Sequence, residues 1–153
     1  MDISKSMLAN LLQYTSVADQ LFIDTFSTAN VQLEKAQYLF SHILNAQHIW
    51  SSRIFNQLPL YDRFYVHPVE FFQNYHNENT NRLKQILEDF GLSANIFYAT
   101  SIGEKFTNRV GDILLHVVNH STYHRGQVAM ELKLAGLQPP ATDFVLMKRE
   151  GTI

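Results

Sequence analysis

Between His116 and Gln127 the chain sets three imidazoles, His116, His120 and His124, at four-residue intervals. At about 100° per residue, helical positions four apart return to within roughly 40° of each other, so the three rings form a ladder up one side of a helix. Converging nitrogen donors are what a divalent cation requires. Val110, Ile113, Val117 and Val128 define the apolar face of this segment, and His120 and His124 fall inside its arc, whereas His116 falls toward the rim beside Tyr123. Burying two neutral imidazoles is unfavourable unless their nitrogens find partners, and one cation satisfies both. The plainer alternative is a pair of core histidines bonded to backbone carbonyls.

These rings must be positioned by long helices. Apolar residues recur at helical spacing from Ile3 to Phe26, with Asp2 or Ser4 as the cap, and the cluster from Ser27 to Asn30 predicts a turn that also caps the next helix. A second helix is expected from Val31 to Asn56, apolar over much of its circumference. It carries His42 toward one edge of the stripe and His48 toward the other, and periodicity does not choose between them as a third ligand. Gln57 to His67 is aromatic-rich and broken by Pro59, which predicts a connecting loop whose Tyr61, Phe64 and Tyr65 wall a pocket or simply pack. Pro68 suits the first turn of a third helix running to Phe90 before Gly91, with a kink or break expected in the polar run His76 to Asn81. His67 and His76 read as surface residues.

Leu92 to Lys105 holds a β-prone patch, Asn95 to Thr100, too short to be a sheet alone, and is expected to cross as an extended connection. Thr107 or Asn108 is expected to cap the last long helix, with Asp112 near the favourable end of its dipole, and Gly136 with Pro139 and Pro140 to end it at about Ala135. The tail from Ala141 to Met147 is too apolar to stay in solvent. Arg125 falls opposite the histidines by helical phase, which predicts a dimer contact or a surface ion pair, with anion binding as a further role.

Asn119, His120, Tyr123, His124, Arg125, Gly126 and Gln127, followed by Gly136, Pro139, Pro140, Asp143 and Phe144, resemble the C-terminal signature of the DinB/YfiT-like family. The likeness extends to Phe40, Ser41, His42, Ile43 and Leu44, with Trp50 downstream. It implies an all-α four-helix bundle with a divalent metal between the second and last long helices. It also implies one histidine ligand from the second helix, here His42 with His48 in reserve, and two from the last, His120 and His124. Homodimers are common in that family. His116 is then a supporting neighbour of the ligand set, with a fourth ligand or a substrate contact as its alternatives, and Asn119, Tyr123 and Gln127 are placed to orient ligands or bind substrate.

The 153 residues predict one domain, 1–153, large enough to bury a core without staples. The chain contains no cysteine, so disulfides and thiolate ligands are excluded and any thiol must come from outside. A net charge of −2, with scattered Lys and Arg, argues against nucleic acid as a partner. The N-terminal residues lack signal-peptide character and no apolar run approaches membrane-spanning length, so a cytoplasmic protein without a membrane partner is expected.

Three nitrogen donors leave a coordination position open, which suits a catalytic zinc, with nickel, iron or manganese also acceptable. Two chemistries then compete for a small-molecule substrate. In one, the metal lowers the pKa of a low-molecular-weight thiol for attack on an electrophile, as the resemblance to bacillithiol- and mycothiol-transferring enzymes implies. In the other, the metal activates water for hydrolysis, with Glu131 as the candidate inward carboxylate. A third reading is a non-catalytic metal-binding stress protein.

Overall fold

The computed structural model describes residues 4–153; Asp2 and Ile3, assigned above to the first helix, lie outside them. Four long helices carry the chain: α1 (Lys5–Thr28), α2 (Glu34–Ile54), α3 (Phe72–Asp89) and α4 (Val110–Leu134), joined by a hairpin of β1 (Asn95–Ala99) and β2 (Lys105–Arg109) and followed by a short α5 (Phe144–Arg149). α2 packs on α4 and α3, while α1 packs on α3 and α4. No helix among the described residues is long and apolar enough to cross a membrane.

The helix ends show why the chain stops where it does. Ser4 caps α1, its hydroxyl accepting from the Met7 amide at 3.1 Å. α2 ends on Asn56, whose φ of 54° is the left-handed conformation that asparagine tolerates. The Gln57 amide donates back to the Ser52 carbonyl at 2.8 Å and closes that terminus. α4 ends in the same way on Gly136, φ 81°, with Leu137 N–H on the Leu132 carbonyl at 2.9 Å. The polar turn before α2 supplies no such cap: the N-cap is Leu33, without a side-chain hydrogen bond, and the Glu34 carboxylate faces the helix dipole instead.

Three packed clusters form the core among the described residues, the smallest being Tyr14 and Ala18 of α1 with Met147. Phe22, Phe26, Phe40 and Phe72 meet with Ile43, Leu44, Val128 and Leu132 in another. Leu8, Leu83, Ile86, Ile113, Leu114 and Val117 meet with Ile54 in the third. Each fully buried ring or branched chain stabilises the fold by about 1.5–3 kcal/mol relative to exposure. α3 runs unbroken through the polar stretch where a kink was expected. His76 and Asn79 of that stretch turn inward, and Asn79 donates to the Leu44 carbonyl at 3.0 Å.

The segment after α3 corrects the expectation of a lone extended connection. Asn95–Ala99 pairs antiparallel with Lys105–Arg109, in a register set by Phe97 opposite Thr107 and closed by a turn at Gly103, φ 84°. Thr107 and Asn108 are therefore strand residues, not helix caps, and the N-cap of α4 is Arg109, without a side-chain bond. The hairpin is fastened to the start of α4 by Val110 N–H on the Ala94 carbonyl at 3.0 Å and Gly111 N–H on the Leu92 carbonyl at 2.9 Å. The tail packs as expected: Met147 is buried, and the Tyr14 hydroxyl donates to the Thr142 carbonyl at 2.8 Å.

Candidate metal centre

α2 and α4 bring His42, His120 and His124 together, half-buried, with one potential ligand atom from each within 4.8 Å of the others. The ring centroids lie 4.9 Å (His42 to His120), 4.6 Å (His42 to His124) and 4.4 Å (His120 to His124) apart. His42 Nε2 and His120 Nε2 are 3.1 Å from each other. Two nitrogens, each about 2.0–2.1 Å from a tetrahedral zinc, sit roughly 3.3–3.4 Å apart. The spacing is therefore close to that of two ligands sharing one ion, and the three residues could hold one. Among the described residues no carboxylate joins the group.

The other nitrogens orient two of the rings. His42 Nδ1–H donates to the Arg63 carbonyl at 2.9 Å, and His124 Nδ1–H donates to Gln127 Oε1 at 2.7 Å, so both rings aim Nε2 lone pairs into the cluster. Phe64 stacks on the outer face of His42 with centroids 5.3 Å apart. His120 Nδ1 is buried without a hydrogen-bond partner. Burial, reinforced by the neighbouring imidazoles, lowers the His120 pKa from 6.5 to about 3, and burial is also the leading cause that lowers His42. Neutral rings with free lone pairs are the form that binds metal.

The carbonyl that holds His42 comes from the connecting loop, which a polar stripe on α2 grips. Gln37 Nε2 donates to the His67 carbonyl at 2.8 Å, Ser41 Oγ accepts from the His67 amide at 3.0 Å, and Asn45 Nδ2 donates to the Tyr65 carbonyl at 2.7 Å. Gln37, Ser41 and Asn45 recur every four residues and so share a face. This arrangement escaped sequence reasoning because a backbone carbonyl has no residue type to recognise.

The other histidines are placed elsewhere. His48, held in reserve, is buried, and its Nε2 accepts from the Leu60 amide at 3.0 Å, outside the cluster. His67 and His76 overturn the expectation of surface residues, at 1% and 4% exposed. His67 sits among Tyr61, Tyr65 and Tyr75, with its Nε2 2.6 Å from Asn45 Oδ1. Aromatic walls and an amide partner make its burial affordable, and neither is visible from the residue alone. His116 is exposed and rests against Trp50, its centroid 5.6 Å from that of His120. Asn119 is exposed, Tyr123 is exposed with its ring 5.0 Å from His124, and Gln127 is half-buried on its ligand-orienting bond. Glu131 pairs with Lys35 at 2.9 Å.

Arg125 is the largest departure: it is 2% exposed, not a surface cation. Its Nη1 donates to Asp19 Oδ1 of α1 at 2.7 Å, and Asp19 Oδ2 accepts from Gln47 Nε2 of α2 at 2.8 Å. Helical phase put Arg125 away from the histidines correctly, but α1 covers that side. A cavity of about 360 Å³ next to this ion pair, lined by Leu12, Thr15, Asp19, Gln47, Leu83 and Leu87 among others, includes none of the three clustered histidines.

The model of the DinB family matches residues 24–151 of this chain. Protein DinB of Bacillus subtilis (strain 168) is 49% identical over 37 residues, which are 24% of this chain. The chain matches about a fifth (22%) of the length of that relative.

Proposed function

The chain belongs to the DinB family, and from that premise we propose a four-helix-bundle metalloenzyme that joins a low-molecular-weight thiol to a small electrophile. His42, His120 and His124 are the ligands in this reading, on the second and last long helices, with zinc as the first candidate and nickel, iron or manganese as alternatives. The observation that carries it is the 3.1 Å separation of His42 Nε2 and His120 Nε2, with the Nδ1 atoms of His42 and His124 both engaged elsewhere.

A bound divalent ion would supply a Lewis-acidic position that favours the thiolate form of an external thiol. The protein's part is to hold three neutral imidazoles in place. Arg63 fixes one through its carbonyl and Gln127 fixes another, while Phe64 covers the His42 ring against water. Tyr123, exposed beside His124, is positioned to contact substrate. Hydrolysis would call for a nearby general base, and the pairing of Glu131 with Lys35 favours the thiol route over it.

The reading is tested by following loss of chlorodinitrobenzene or an epoxide with zinc- or nickel-loaded protein and a panel of thiols, including bacillithiol and mycothiol. A thiol-dependent rate above the metal-free control, lost in H120A, is the expected result. No such rate for any thiol, with thiol-independent turnover of activated esters instead, would replace it with the hydrolase reading.

A further inference from the structure

Arg53 of α2 lies with its guanidinium carbon 4.3 Å from the centre of the Trp50 ring and 4.6 Å from that of Tyr98, two rings set edge-to-face 5.2 Å apart. Cation–π contact with two rings fixes the position of the charge. The Tyr98 ring is itself tied down by its hydroxyl on Asn108 Oδ1 at 2.6 Å.

The other two arginines that are not exposed give N–H groups to protein acceptors, although Arg125 Nε is buried without one. Arg82 reaches Ser51, Ser52 and Gln57, and Arg125 reaches Asp19 and Thr122. Arg53 is half-buried, yet among the described residues its side chain makes no hydrogen bond and joins neither ion pair. A guanidinium offers five N–H donors in a planar fork that matches a carboxylate in two parallel bonds. The fork is also connected to the metal centre by a line of ring contacts. Trp50 packs on His116 at 5.2 Å, and His116 packs on His120 at 5.6 Å.

We propose that Arg53, held by Trp50 and Tyr98, is the binding site for a carboxylate on the small molecule that reacts at the histidine cluster. The substrate or thiol is then an extended, anionic molecule. Its carboxylate sits at Arg53 and its reacting atom lies beyond His116, near His120. The reacting end of this assignment rests on the metal-centre reading, but the carboxylate end does not.

Trp50 is the single tryptophan of the chain, so its fluorescence reports directly on this position. The experiment titrates metal-stripped protein, dialysed free of chelator and at constant ionic strength, with succinate, its neutral diamide and inorganic phosphate. Succinate should produce a saturable change in Trp50 emission that the diamide does not. Affinity should fall at least 10-fold in R53Q, fall less in R53K, and be unchanged in R149Q, whose exposed arginine serves as control. No saturable change in the unmodified protein, or an equal change in an R53Q protein of unaltered circular dichroism, would overturn the site. Tighter binding of phosphate than of succinate would overturn the carboxylate assignment. Because no metal is present, these outcomes are independent of whether the histidine cluster binds one.

Discussion

Gln127 accepts the Nδ1 proton of a candidate ligand, His124, at 2.7 Å. Partners of this kind fix the tautomer and raise the basicity of the ring, and losing one typically weakens metal affinity by 10–100-fold. Gln127→Ala is therefore expected to lower zinc affinity by about 10-fold or more, read by calorimetric titration, with little change in melting temperature. Arg125 and Asp19 pose the opposite case, since both are buried and bonded to each other. Arg125→Met leaves the Asp19 charge without its partner and should destabilise the protein by about 3–5 kcal/mol in urea unfolding. Asp19→Leu combined with Arg125→Met should recover most of that loss. The spacing of His120 and His124 was legible in the sequence because one helix determines it. The burial of Arg125 was not, because its partner lies on another helix more than a hundred residues away.

α2 does two jobs with adjacent stripes, one carrying His42 and the other gripping the loop that holds His42. Asn45 connects them, bonding the Tyr65 carbonyl at 2.7 Å, the Arg63 carbonyl at 3.4 Å and His67 Nε2 at 2.6 Å. Asn45→Ala should reduce metal affinity about 10-fold, as loss of an outer partner does, although no ligand changes. It should also reduce stability by roughly 1–3 kcal/mol, because buried polar groups are left unpaired. Equal affinity in the variant would remove the loop from the account. The four long helices could be read from apolar periodicity, and the end of α4 from Gly136. The hairpin could not: every residue of Lys105–Arg109 is exposed, so the partner strand carries no alternation of polar and apolar positions. Asn45 and His67 read as ordinary polar residues, because their roles exist only once the loop folds back on the helix.

Across the molecule, burial is the leading cause that lowers the pKa values of His48, His67 and His76 from 6.5. In the unfolded chain these rings take up protons near pH 6.5, while in the folded protein they resist, so the unfolded state binds more protons below that pH. Their contribution to stability is thus present above pH 6.5 and is lost as pH falls toward the lower folded values. The metal-free protein should show a melting temperature that drops steadily from pH 7 to pH 5, and a flat profile would contradict the burial of these rings. The central claim is that two rings of α4 and one of α2 act as a single ligand set. Its most direct test is zinc stoichiometry and affinity, measured side by side on the unmodified protein and on His42→Ala, His120→Ala, His48→Ala and His116→Ala. One zinc per chain is expected, retained in the last two variants and weakened in the first two by more than the roughly 10–100-fold that loss of an outer partner causes. Full binding by His42→Ala, or loss of binding in His48→Ala, would contradict it.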